Sequence, residues 1–125
     1  NFIVLIAALL PLPVQSETPL PVVAILEGIA DVRDGDGLLF GRVEIRLQGI
    51  AAPEDRRGRV DPMGKAATAA LERLALGRMV TCYLDGTTAG RSGRPVAVCR
   101  VNGVDQGREM VRQGFARDCQ PFRRL

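Results

Sequence analysis

Histidine and tryptophan are both absent from this chain of 125 residues. Without histidine, the chain lacks the commonest general base, the usual activator of serine and cysteine nucleophiles, and the commonest ligand of transition metals. Aromatic side chains are also scarce, since one tyrosine and four phenylalanines are the whole complement. Stacking of nucleic-acid bases on aromatic rings therefore has little support in the composition. Any catalysis would depend on carboxylates, arginines and a metal ion.

Cysteine is sparse, and its spacing excludes another common class of site. Cys82, Cys99 and Cys119 show neither CxxC nor Cys/His spacing, which argues against a zinc site. Seventeen basic and 14 acidic residues give a formal charge of +3, which suits contact with a polyanion without requiring it. The length suffices for one compact core and is short for two domains.

The first residues form a short apolar run, residues 2–10, that is too short to span a bilayer and resembles the hydrophobic part of a secretory signal. The alternative is a core strand or helix. Prolines beyond the run oppose any regular continuation, namely Pro11, Pro13, Pro19 and Pro21. We therefore predict a signal-peptide remnant and proline-rich leader over 1–21, a folded domain over 22–125, export to the periplasm or the medium, and a monomer without a stable membrane span.

Alternating apolar residues and turn signals predict five strands and two helices. The strands are predicted over 22–32 with a bend at Gly28, and over 38–40, 43–47, 79–84 and 95–101. Asp61 and Pro62 indicate a helix start, and Gly77 a helix end, which gives a helix over 61–76 whose buried stripe is Ala67, Leu71 and Leu74. A second helix is predicted over 107–113, and residues 85–93 are predicted to be a flexible loop.

Three segments point to one protein family. They are Asp34-Gly35-Asp36-Gly37, the stretch from Ile45 to Glu54 that reads IRLQGIAAPE, and Ser92-Gly93-Arg94. Their order and spacing resemble those of the thermonuclease, or staphylococcal nuclease-like, family, in which the corresponding motifs are DGDT, IRLxGIDAPE and YGR. The resemblance implies an OB-fold: a mainly β (α+β) protein with a five-stranded barrel and two packed helices. The predicted element order agrees with that fold, since the long helix falls between the third and fourth strands.

The resemblance also assigns roles to individual residues. It implies that Asp36 and the backbone carbonyl of Ala52 bind Ca²⁺, that Arg46 and Arg94 bind the scissile phosphate, and that Glu54 activates the attacking water. Hard oxygen donors and guanidinium groups suit a cation and a phosphate respectively. Without the resemblance, Asp36 reads as a turn-forming residue and the arginines as solvated surface charges.

Two further carboxylates lie near the predicted site. Asp34 is interpreted as structural or as a carboxylate that supports the ligands from behind. Asp55 or Glu54 could move in as a replacement metal ligand, because one ligand position has lost its carboxylate.

That lost carboxylate is one of several departures from the family pattern. Ala51 stands where the family has a ligand aspartate, and Gly37 where it has a threonine, while Ser92 and Gln120 stand at positions of tyrosines. Two functions therefore remain open. One is an exported, Ca²⁺-dependent phosphodiesterase of reduced efficiency that hydrolyses DNA or RNA. The other is a catalytically degenerate OB-fold module that binds nucleic acid or an acidic exopolysaccharide.

Cys82 lies in the middle of the fourth predicted strand, and Cys99 lies in the middle of the fifth. Cys82 and Cys99 should therefore be inward-facing neighbours. We expect either a disulfide across the barrel or two buried free thiols.

Overall fold

The computed structural model describes residues 21–56 and 59–119, and within them the secondary structure is mainly β with two helices. The strands are β1 (Ala24–Ile29), β2 (Asp31–Asp34), β3 (Gly37–Phe40), β4 (Val43–Leu47), β5 (Ile50–Ala51), β6 (Asp55–Arg56), β7 (Arg59–Val60), β8 (Met79–Ala89), β9 (Arg94–Val101), β10 (Val104–Asp105) and β11 (Arg117–Asp118). The helices are α1 (Pro62–Ala75) and α2 (Gln106–Arg112). The predicted leader over 1–21 lies almost wholly outside the described residues and stays a prediction.

The main sheet has seven strands in the order β1-β8-β9-β4-β3-β2, with β10 paired to β9. All its pairs are antiparallel except β4 with β9, whose register places Arg46 opposite Val96. The order ends at β1 and β2, so hydrogen bonds do not close the sheet into a complete barrel. The element order and the mixed sheet are consistent with the predicted OB-fold.

The first predicted strand is divided at Ala30 rather than bent at Gly28. Ala30 is buried, and its N–H donates to the carbonyl of Arg78 at 3.0 Å while its carbonyl accepts from Gly77 at 2.9 Å. These bonds tie the chain to the turn after α1, so β1 continues on β8 and β2 continues on β3. The break therefore depends on a long-range contact that local propensity does not encode.

Both helices begin and end within a residue or so of the predicted positions. Asp61 caps α1, and its carboxylate accepts the N–H of Met63 at 2.9 Å. Gly77 follows the helix with a φ of 71°, a conformation that glycine adopts without steric cost. The expected stripe is confirmed, since Ala67 and Leu71 are fully buried and Leu74 packs against the same core.

Residues 85–89, predicted to be part of a loop, extend β8. Thr88 pairs with Pro95 and Ala89 with Arg94, beyond an irregularity between Leu84 and Thr88. The composition of this stretch is typical of loops, but β9 supplies a partner for its backbone. The connection that remains is a short turn, so the prediction of a flexible loop over 85–93 was wrong.

Cys82 and Cys99 are direct partners across β8 and β9 and form a disulfide, with their Cα atoms 4.0 Å apart. Both are fully buried. Of the two expectations, the structure therefore has the disulfide rather than free thiols, and Cys119 is a half-buried free cysteine. In the part of the chain that is described, no helix is long and apolar enough to cross a membrane.

Candidate functional site

A small polar cavity of about 120 Å³ lies between the turn after β2, strand β4, the loop after β5 and the start of β9. We call it the polar cavity, and its lining consists of charged residues and a short loop: Asp34, Asp36, Arg46, Ala52, Pro53, Glu54 and Arg94. The structure thus brings together the predicted metal-site residues Asp36 and Ala52 and the three residues predicted to be catalytic. Asp34 joins them, whereas Asp55 does not line the cavity.

Asp36 is held by close packing of the turn between β2 and β3. A Cβ atom at Gly35 would lie 2.6 Å from the Cβ of Ala67 and 2.7 Å from that of Ala52, so the turn can sit against α1 only because residue 35 has no side chain. The Asp36 carboxylate accepts the N–H of Ala52 at 2.9 Å. Its own N–H donates to Asp34 at 3.3 Å.

Arg46 lies across the same corner and is engaged mainly with the backbone. Its guanidinium donates to the carbonyls of Leu47 at 3.0 Å and Ile50 at 2.7 Å, and more weakly to that of Asp36 at 3.4 Å. It also forms an ion pair with the Asp36 carboxylate at 3.4 Å. The side chain is 19% exposed, so Arg46 contributes both to local structure and to the charge of the cavity.

Arg94 begins β9 and has a simpler environment. One of its nitrogens donates to Glu44 at 3.1 Å, and this ion pair joins β9 to β4. Sequence reasoning missed this role of Glu44. The signal was available, since Glu44 and Arg46 are two residues apart on one strand and therefore share the face that the site occupies.

Glu54 and Asp55 follow a loop that packs directly on α1. A Cβ atom at Gly64 would lie 2.0 Å from the carbonyl oxygen of Glu54, so the loop can approach the helix only at a glycine. Glu54 is exposed at the mouth of the polar cavity. Asp55 instead accepts a hydrogen bond from the Thr68 hydroxyl at 2.9 Å, which directs its carboxylate to the helix and away from the expected metal site.

Burial raises the pKa of the Asp36 carboxyl above its ordinary value of 3.8. The N–H of Ala52 and the Arg46 charge oppose this rise, whereas the nearby Asp34 carboxyl adds to it. The cavity therefore holds a carboxylate whose charged form is only partly compensated. A nearby cation would stabilise the charged form of this carboxylate.

The donor atoms at this position fit Ca²⁺ in kind, because they are oxygens of carboxylates and of the backbone. They are few, and no group of three or more His, Cys, Asp or Glu side chains that could hold a metal occurs among residues 21–56 and 59–119. Ala51 contributes no ligand and lines a neighbouring apolar pocket. The residues present are compatible with a Ca²⁺ site that water molecules complete.

Gly37 and Ser92 depart from the predicted family pattern in different ways. A Cβ atom at position 37 would lie 2.9 Å from a carboxylate oxygen of Asp34, so a threonine there would require Asp34 to move. Ser92 lies exposed in the turn of the β8–β9 hairpin. Gln120 is outside the described residues.

Comparison with known families supports the assignment that the geometry suggests. The family model for staphylococcal nuclease homologues matches residues 44–124, which is more than half of the chain. The chain belongs to the staphylococcal nuclease family. Comparison with curated proteins gave no match.

The matched stretch contains Arg46, Glu54 and Arg94, while Asp34 and Asp36 lie before it. The family has a nuclease fold that binds nucleic acid in general, and its members are generally Ca²⁺-dependent. Those properties describe the family.

Proposed function

We propose that this protein is a phosphodiesterase of the staphylococcal nuclease family that hydrolyses DNA or RNA with reduced efficiency. The observation that carries the proposal is the convergence of Arg46, Glu54, Arg94 and Asp36 on one polar cavity. A module that only binds phosphate needs the arginines but has no use for a carboxylate that could act as a general base. Glu54 at the mouth of the cavity therefore favours hydrolysis.

The arginines would bind the two non-bridging oxygens of the phosphodiester. Guanidinium groups do this through paired N–H donors, and their charge stabilises the additional negative charge that develops at the phosphorus in the transition state. Arg46 is already fixed by backbone carbonyls, so its position costs little reorganisation when substrate binds. Arg94 would turn from Glu44 toward the phosphate.

Glu54 would accept a proton from water as the water attacks the phosphorus in line with the leaving oxygen. Its exposure keeps the carboxylate accessible to water. Asp36 and the carbonyl of Ala52 would hold Ca²⁺, with Asp34 behind them. When bound, the ion supplies electrostatic stabilisation of the phosphate and lowers the pKa of a coordinated water.

A catalytically degenerate module that binds nucleic acid or an acidic polysaccharide is the second candidate. Ala51 favours it, because the carboxylate that the family places at this position is missing. The ion pair between Asp36 and Arg46 favours it too, because it already compensates part of the charge that should bind the metal.

A cleavage assay separates the two candidates. Single-stranded DNA and RNA are incubated with the full chain in Ca²⁺ or in a chelator, beside Glu54→Gln and its matched control Glu27→Gln, an exposed carboxylate on β1. The enzyme proposal requires Ca²⁺-dependent cleavage that is lost in Glu54→Gln and kept in Glu27→Gln. It also requires Ala51→Asp to raise cleavage at least tenfold, or about 1.4 kcal/mol of transition-state stabilisation.

Salt-dependent binding of polyanion without cleavage, even in Ala51→Asp, would replace the enzyme by the binding module. In that case the competing ligands, single-stranded DNA and an acidic polysaccharide, are compared directly. Equal affinity at equal charge density would indicate recognition of charge alone.

We also propose that the protein is exported and acts as a monomer. The apolar run over 2–10 supports export, and so does the disulfide between Cys82 and Cys99, because such bonds persist in oxidising compartments. N-terminal sequencing of protein recovered outside the cytoplasm should find that the apolar run over 2–10 has been removed. Recovery of uncleaved protein with reduced cysteines from the cytoplasm would contradict export.

A further inference from the structure

Another pocket, of about 230 Å³, lies on a different part of the molecule from the polar cavity. We call it the helix pocket, because its walls come from the end of α1, the turn between β9 and β10, and α2. Among the described residues, it has no lining residue in common with the polar cavity. Arg94 begins β9 and Val101 ends it, so the two spaces lie toward opposite ends of that strand, roughly 20 Å apart at the usual rise per residue.

Two arginines on the α1 wall carry positive charge without a carboxylate partner. Arg73 lies in the last turn of the helix, and Arg78 follows the turn after it. Within residues 21–56 and 59–119, neither guanidinium forms an ion pair or a hydrogen bond. Both residues are nevertheless anchored, since the guanidinium carbon of Arg73 lies 5.8 Å from the centre of the Phe115 ring and the N–H of Arg78 donates to Ala75 at 3.1 Å. This wall therefore favours an anion.

The α2 wall offers hydrogen-bond acceptors instead. Gln106 is only 2% exposed, and its Nε2 donates to the carbonyl of Val104 at 2.9 Å. Its Oε1 is buried and has no hydrogen-bond partner in the described part of the chain. A buried amide oxygen without a partner is uncommon and costs stability, so a donor supplied by a ligand at this wall would be favourable.

Glu109 adds an ionised carboxylate to the same wall. Hydrogen bonds from Arg112 and Gln113 lower its pKa to about 2. Arg112 Nε donates to Oε2 of Glu109 at 2.9 Å, and Gln113 Nε2 donates to Oε1 at 3.1 Å. An ionised carboxylate can only accept hydrogen bonds, and it has more lone pairs than these donors occupy. The α2 wall therefore favours a ligand that carries hydroxyl or N–H groups.

Apolar side chains complete the lining, namely Leu74, Val101 and Val104. Val101 and Val104 pair across the turn at Asn102 and Gly103, where both turn residues have positive φ. Two-residue hairpin turns of this kind hold their flanking strands in a defined register, so the backbone fixes this part of the pocket. The volume lies below the range of about 300–1,000 Å³ that is usual for drug-sized ligands. The occupant is therefore restricted to one small ring with its charged group.

We propose that the helix pocket binds a small sugar phosphate. The phosphate would lie between Arg73 and Arg78, because two forked guanidinium groups suit its several terminal oxygens better than the two oxygens of a carboxylate. Ring hydroxyls would donate to Gln106 and Glu109. Free phosphate can use only the α1 wall, and an uncharged sugar can use only the α2 wall. The inference does not depend on the proposed function, since it involves neither the polar cavity nor a polynucleotide.

The test compares glucose 6-phosphate with its two parts, glucose and inorganic phosphate. Affinities for the full chain are measured by nuclear magnetic resonance titration. Because hydroxyl groups reach acceptors that phosphate alone leaves unused, glucose 6-phosphate should bind about tenfold more tightly than either part. Glucuronate carries a carboxylate on the same kind of ring and should bind more weakly than glucose 6-phosphate. Equal affinity for glucose 6-phosphate and inorganic phosphate would overturn the inference, as would tighter binding of glucuronate.

Variants assign the binding to the helix pocket. Arg78→Ala should weaken glucose 6-phosphate at least about fivefold, whereas Arg42→Ala, the same change at an exposed position, should not alter its affinity. Gln106→Met keeps the length of the side chain and removes the amide, and should reduce the tenfold preference over inorganic phosphate to less than about threefold. Arg94→Ala should leave the affinity for glucose 6-phosphate unchanged. An equal loss in Arg94→Ala and Arg78→Ala would overturn the inference.

The amide signals of the unmodified protein give a readout that holds even where Gln106→Met does not fold. Glucose 6-phosphate should shift the signals of Asn102, Gly103 and Glu109 and leave those of Asp36 and Arg94 in place. Shifts confined to Asp36 and Arg94 would put the ligand in the polar cavity and overturn the inference. Absence of any shift at millimolar ligand would overturn it as well.

Discussion

The two halves of the polar cavity differ in how firmly the protein holds them. On one side, the segment from Asp34 to Glu54, which we call the corner, is fixed by hydrogen bonds from Arg46 to backbone carbonyls and by a close approach to α1 at Gly64. On the other side, the end of the β8–β9 hairpin offers Arg94, which forms an ion pair with Glu44. The corner is organised before substrate arrives, while Arg94 can exchange its partner for a phosphate.

The two halves also differ in the contacts that support them. The disulfide between Cys82 and Cys99 fixes the buried part of the hairpin, whereas its end turns through Gly90 and Gly93 at positive φ. Besides the pair of Glu44 and Arg94, a second side-chain contact connects the two halves, since Gln48 of the corner donates to Asp85 of the hairpin at 2.9 Å. Stability and binding should therefore respond differently to changes in the two halves.

Removal of the disulfide should have the largest effect on stability. Replacing both Cys82 and Cys99 by alanine should lower the free energy of unfolding by about 3 kcal/mol, the value expected when a bond closes a loop of this length. Urea unfolding monitors the loss. Because the corner keeps its own contacts, affinity for oligonucleotide in buffer without urea should change less than about threefold.

Cys119→Ser is the matched control and should leave the unfolding free energy unchanged. Loss of oligonucleotide binding in a double variant that is still folded would show that the hairpin, rather than the corner, organises the cavity. That result would reverse the comparison.

Replacing the two arginines by alanine tests the comparison directly. Arg46→Ala removes the donor to the carbonyls of Leu47 and Ile50 and leaves the Asp36 carboxylate uncompensated, and should cost about 2 kcal/mol of stability. Arg94→Ala removes one partly exposed ion pair and should cost less than about 1 kcal/mol. Both should weaken oligonucleotide binding. Equal losses of stability in thermal and urea unfolding would remove the distinction between the two halves.

Much of the fold follows from local sequence signals. Asp61, Pro62 and Gly77 delimit α1 by capping chemistry that operates within one turn, and the prediction from them is confirmed. The polar, flexible composition of residues 85–89 predicts a loop, yet a neighbouring strand pairs with them. The division at Ala30 has the same origin. Where partners distant in sequence decide the structure, local propensity does not reveal it.

The candidate site also has a part that the sequence predicts and a part that it does not. Asp36, Arg46, Glu54 and Arg94 were selected by motif spacing, and one cavity contains them all. The requirement for Gly64 was not foreseeable, because it arises from the approach of a distant loop to the helix. The sequence also did not predict the apolar pocket that Ala51 lines, and the reason is related.

The two walls of this pocket, residues 51–53 and 114–117, are 61 to 66 residues apart in sequence, and the pairing of Ala51 with Arg117 brings them together. Ala51 was read only as a missing metal ligand. In the structure its side chain also forms part of the apolar pocket.

Asp36 gives the stability of the corner a pH dependence. Because burial raises the pKa of this carboxyl, the folded state binds a proton more tightly than the unfolded state does. Its contribution to stability is therefore full below the ordinary value of 3.8 and is lost as the pH rises through the raised pKa. Urea unfolding across this window, in a chelator, should show that the stability of the protein relative to Asp36→Asn falls with rising pH.

Arg94→Ala is the control for this experiment and should show no such trend relative to the unmodified protein. A stability difference that increases with pH would mean that the contacts with Ala52 and Arg46 outweigh burial. Asp36 would then be a stabilising anion of the corner, and its charge would be fully compensated without a cation.

The smallest expected effect sharpens the comparison most, because it concerns the partner that Arg94 must release. Glu44→Gln keeps an oxygen that can accept from Arg94 and removes one negative charge, so stability should change by less than about 1 kcal/mol. Binding of oligonucleotide should become about threefold tighter, as expected when the Coulomb repulsion between one carboxylate and a phosphate several ångströms away in water is removed. The gain should vanish at high salt, where such repulsion is screened.

In the Arg94→Ala background, Glu44→Gln should give a smaller gain, because the arginine can no longer move to the phosphate. Weaker binding in Glu44→Gln alone would mean that Glu44 holds Arg94 in its productive position, and both halves of the cavity would then be organised before substrate binds.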